Sequence, residues 1–134
     1  MTESLHIDMH RDHMLWKAET VQWRDDLEFW KNELTRAETQ LKDLQKALNV
    51  HRDALSAHAA SIMKREQEAN AHEYAIASYE MGGTGEELPA MAVKHNDEEQ
   101  EQAKQRSAHD RIRRHHHTII ANYSLLLKAI QQPM

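Results

Sequence analysis

His6, His10 and His13 stand four and three residues apart, which puts three imidazoles on one face of a helix. Neutral imidazoles one turn apart chelate copper, zinc or nickel, and Glu3, Asp8 or Asp12 can add an oxygen ligand. The competing reading is a polar helix start with solvated histidines. His51, His58, His109 and His116 form a second set, on or beside the seams of two helices expected to face each other. With turns centred near Asn49–Val50 and Gly85, antiparallel pairing brings His116 to a height between His51 and His58. It brings His109 just beyond His58, near Ile62, with Leu41, Leu44 and Leu48 as a wall. Imidazoles converging from facing helices hold copper or zinc, or less readily a non-covalent bis-histidine haem. Half-exposed rings bonded to carboxylates or water are the plain alternative.

Other chemistry finds less support. A di-iron carboxylate centre needs paired Glu-x-x-His motifs, and only Glu3-x-x-His6 has that spacing. The three glycines, all within Met81–Pro89, match neither phosphate-binding loop pattern, and no lysine follows closely. The serines are scattered along helical segments with no turn to present a nucleophile, so no enzyme constellation is read. Arg106–His117 is locally basic, but it lacks interleaved aromatics, and the formal charge of −5 makes nucleic acid an unlikely partner. Trp16, Trp23 and Trp30 could line a pocket for a flat ligand, although heptad spacing points to core or interface anchors.

These side chains are positioned by a long heptad run. From His6, every seventh residue is His6, His13, Thr20, Leu27, Leu34, Leu41 and Leu48. Three residues on lies the companion row Met9, Trp16, Trp23, Trp30, Ala37 and Leu44. Asp12, Glu19, Asp26 and Glu33 border the stripe on one edge, and Lys17, Arg24 and Lys31 on the other. Such a seam belongs to a helix that needs partner helices. Thr2 or Ser4 can cap it, and Asn49 and Asp53 offer a stop and a restart near residue 50. The phase continues through Leu48, Leu55, Ile62, Ala69 and Ile76, as an unbroken helix to about Tyr79 would also require. Helices of that length are rare in a small domain, so a turn is expected.

The second helix has an apolar row at Leu55, Ile62, Ala69 and Ile76 and a polar companion row at His51, His58, Arg65, His72 and Tyr79. Gly82 is suited to end it in the left-handed region, and Pro89 to open the third. The expected architecture is all-α: a single domain over 1–134 with helices at about 4–48, 52–80 and 89–131. They form an up-down-up antiparallel, coiled-coil-like bundle around a Gly-rich loop at 82–88. The third helix begins acidic and weakly apolar, then carries a stripe at His109, Ile112, His116, Ile119, Tyr123, Leu126 and Ile130.

Mean hydropathy of −0.87 suits slender helices that each hide one stripe. The absence of cysteine removes disulfides, thiolate metal sites, iron–sulfur clusters and covalent c-type haem. No basic stretch precedes an apolar core and no apolar run is long enough to span a bilayer, so a cytoplasmic protein is expected.

Trp23-Arg-Asp-Asp-Leu-Glu-Phe-Trp-Lys-Asn-Glu-Leu34, with His72-Glu73, resembles small uncharacterised bacterial helical-bundle proteins with a Trp-rich first helix. The resemblance covers about a tenth of the chain and implies a small bundle without lending an activity. The leading expectation is a non-catalytic histidine-rich bundle that binds copper or zinc at seam or terminal histidines. A structural or adaptor bundle without cofactor is the alternative, and a haem binder the third. The under-covered seam predicts a homodimer, with other protein partners open. Histidines on a seam also predict loosening below about pH 6.

Overall fold

The computed structural model describes residues 2–134. It is all-helical, with two helices: α1, Thr2–Gly82, and α2, Leu88–Gln131. The three-helix bundle is therefore corrected to two helices, because no turn occurs near Asn49–Asp53. The reason is local. The first glycine or proline of the chain is Gly82, and Asn49 and Asp53 each disfavour a helix interior by under about 1 kcal/mol. Breaking the helix would forfeit several backbone hydrogen bonds and the heptad phase that runs on through Leu55 and Ile62. The hydroxyls of Thr20, Thr35, Thr39 and Thr118 donate to the carbonyls four residues back, so even the β-branched polar residues are absorbed into the ladder.

The chain divides into two compact units, Met1–Val50 and His51–Met134, and α1 passes through the division without interruption. Within residues 2–50 the chain is one helical stretch. Its side-chain hydrogen bonds span only four residues, as in Gln22 to Asp26. The second unit is an antiparallel hairpin of the remainder of α1 with α2.

The hairpin loop spans residues 83–87. The Gly83 amide closes the last turn of α1 by donating to the Tyr79 carbonyl at 2.7 Å. A Cβ at Gly83 would collide with the Tyr79 ring, so this position requires glycine. The left-handed residue is Gly85, with φ 89°, where Gly82 was expected. The Thr84 amide and hydroxyl donate to the Glu87 carboxylate at 3.2 and 3.4 Å. Hydrogen bonding to its own backbone amide, aided by Thr84, holds the Glu87 carboxyl below its ordinary value. Pro89 falls in the first turn of α2, as its missing donor favours. At the other end Gln132 leaves the helix in an extended conformation, as a residue before proline must.

No apolar side chain among the described residues is buried; the one buried residue is His72, 6 % exposed. Alanine-rich stretches let the hairpin helices approach, but two helices alone cannot enclose a core.

Candidate functional site: a ladder of paired imidazoles

Three layers of the hairpin are made by histidine facing histidine. His51 meets His116 with 3.1 Å between nitrogens, His58 meets His109 at 3.0 Å, and His72 meets His95 at 3.3 Å. In each the α1 ring presents Nε2 and the α2 ring Nδ1. Ring centroids lie 5.2–5.4 Å apart with interplanar angles of 16–32°, so the arrangement repeats as a unit. Each step of seven along α1 is matched by a step of seven back along α2. The layer between the second and third pairs is filled by Arg65, whose Nε donates to Gln102 Oε1 at 3.2 Å.

Arg65 also binds Glu68 and Glu98, at 3.2 and 3.1 Å. The Arg65 and Glu98 side chains are each only 12 % exposed. The hydrogen bond that Arg65 donates to Glu98 raises the Arg65 pKa above its ordinary value, against the opposing effect of burial. An open groove of about 560 Å³ runs beside this layer, lined in part by Ile62, Ala69, Gln102, Gln105 and His109. There Ser61 donates to Gln105 Oε1 at 3.2 Å, while Gln105 Nε2 is shielded and has no hydrogen-bond partner.

An imidazole–imidazole hydrogen bond needs one N–H and one bare nitrogen. A pair therefore holds together when both rings are neutral or when one carries a second proton. Two protonated rings have no acceptor between them and two like charges about 5 Å apart, which repel. His51 also lies edge-on to His115, and His116 to His117, so the end layer is an imidazole cluster. The basic segment around it is partly internally satisfied: Arg113 pairs with Asp110 at 2.8 Å and Arg111 donates to Ser107 at 2.9 Å.

His51, His58, His109 and His116 come together as two pairs a heptad apart, about 10 Å along the axis, and not as one four-imidazole centre. His116 lies level with His51, and His109 with His58, three residues, or most of a helical turn, from the expected register. The paired residues centre the reversal between Gly83 and Thr84 rather than at Gly85. The wall of Leu41, Leu44 and Leu48 depended on a separate first helix and goes with it. His6, His10 and His13 are exposed, and the His13 ring lies tilted against Trp16 with centroids 5.1 Å apart. Among the described residues no group of three or more His, Cys, Asp or Glu is arranged to hold a metal ion. The His72–His95 pair was not anticipated. The signal was the heptad spacing of His95, Gln102, His109 and His116, hidden in a segment whose acidic residues dominate its appearance.

No family model matches this sequence, and no curated protein or solved structure is significantly similar to it. Among the described residues no helix is long and apolar enough to cross a membrane.

Proposed function

We propose that the protein is a non-catalytic assembly module, a coiled-coil-forming helical element that self-associates and acts through protein contacts. The observation that carries this reading is the lack of any buried apolar side chain among the described residues. Trp16, Trp23 and Trp30 are 55–59 % exposed, and Leu27, Leu34 and Leu41 are 53–65 % exposed at the same spacing. An apolar stripe of this extent marks an interaction face. The histidine ladder serves the module by fixing hairpin register: sliding either helix by one residue would separate all three pairs. The test is sedimentation equilibrium combined with thermal melting over a hundredfold range of concentration. A mass of at least twice 15.7 kDa and a concentration-dependent melt support the reading. A monomer with a concentration-independent melt overturns it.

A second reading, binding of copper or zinc, is supported by the recurring pairs. Two nitrogens bound to one tetrahedral ion stand about 3.3 Å apart, given metal–nitrogen bonds of about 2.0–2.1 Å. The pairs already have nearly that separation. Each would supply half a coordination shell, with water or a partner chain completing it. Calorimetric titration with Cu(II) and Zn(II) tests this reading. Sub-micromolar binding whose stoichiometry falls in a His58→Ala/His109→Ala variant supports it, and the absence of such binding in the wild type removes it.

A further inference from the structure

The exposed stripe of residues 6–48 is flanked by charges with a distinct order. In two parallel helices in register, the residue before each first seam position faces the residue five further along on the partner. In this chain those pairs are Asp12 with Lys17, Glu19 with Arg24, and Asp26 with Lys31, all opposite in sign. The next pair, Glu33 with Glu38, is like-charged, and the one after it, Gln40 with Gln45, is neutral. An antiparallel arrangement brings each edge against its own copy: Lys17, Arg24 and Lys31 would meet one another, as would Asp12, Glu19, Asp26 and Glu33. The sequence of one chain therefore complements itself in the parallel orientation and opposes itself in the antiparallel one. No local ion pair consumes these charges, since all the salt bridges among the described residues lie between Lys64 and Arg113.

We infer that residues 6–48 of two copies of this chain pair side by side as a parallel, in-register two-stranded coiled coil. The tryptophan stripe closes against its own copy, and the three acid–base pairs on each side select the orientation. The inference rests on the assembly reading and adds the identity, direction and register of the occupant. The apolar seam supplies the association and the flanking charges choose among its geometries, because exposed pairs are individually weak.

The chain has no cysteine, so a single introduced thiol reports orientation directly. Thr20 lies on the seam, where parallel in-register pairing brings the two copies of one position within disulfide reach. In the full chain, Thr20→Cys is expected to form a disulfide-linked dimer on mild oxidation, whereas Asn32→Cys, on the outer face, stays unlinked. Lys17→Glu/Arg24→Glu/Lys31→Glu is expected to weaken self-association by about a hundredfold or more. Mixing it with Asp12→Lys/Glu19→Lys/Asp26→Lys is expected to restore a dimer. Circular dichroism of each variant reports whether it remains helical. A wild-type dimer in which Thr20→Cys does not cross-link overturns the parallel register and leaves the assembly reading standing. A body larger than a dimer overturns the two-stranded pairing, and a wild-type monomer overturns both.

Discussion

The two units satisfy their helices in opposite ways. In His51–Met134 the helices are joined across the hairpin by polar contacts: three imidazole pairs, the Ser61–Gln105 bond and the Arg65 network. In Met1–Val50 every described side-chain hydrogen bond is local, while the tryptophans, Phe29 and the leucines stay exposed. Polar layers require a defined register and contribute modest net stability; apolar stripes contribute more but tolerate several arrangements. The hairpin therefore specifies its own pairing, and the tryptophan-bearing stretch carries the capacity to associate.

The largest expected effect breaks this contrast from the apolar side. Replacing Trp16, Trp23 and Trp30 together by Ser should abolish self-association, since aromatic anchors of this kind contribute about 2 kcal/mol or more each to an interface. Sedimentation shows the loss, and the pairing of the hairpin should persist, as read by imidazole resonances in NMR. Next comes the buried layer. His72→Ala leaves the His95 ring without its partner and should destabilise the hairpin by about 1–3 kcal/mol. The double replacement His72→Leu/His95→Leu should recover most of that loss, or exceed the wild type, while loosening register. Denaturant unfolding of the single and double variants separates the outcomes. Glu98→Gln should follow, because it removes the principal carboxylate from a nearly covered Arg65.

The smallest effect is at the loop. Glu87 is held below its ordinary value of 4.5, so its contribution is present above that pH and disappears as pH falls through the lowered value. Glu87→Gln should lower the melting temperature slightly near neutrality and make no difference in strong acid.

Much of this was legible in the residues. The glycine cluster and Pro89 mark the loop between the last two expected helices, and the all-α class was legible, but the expected turn near Asn49–Asp53 was not there. The seven-residue recurrence of His51 and His58 and of His109 and His116 marks rings on facing helices, but not which ring meets which. Continuity through Asn49–Asp53 was not legible, because the helix-breaking preferences of two residues were weighed above a heptad phase that runs on across them. The His72–His95 layer was missed because the pattern was judged by apolar residues, and this hairpin is registered by polar ones. The tryptophan seam was visible as a seam, but periodicity does not say what covers it.

The central claim is that this chain completes its apolar face by associating with its own copies. The most direct measurement is the solution mass of the untagged wild type by sedimentation equilibrium at micromolar concentration. The account predicts twice 15.7 kDa, with dissociation on dilution that accompanies loss of helical signal. A single 15.7 kDa species at every concentration, with unchanged helicity, would contradict it.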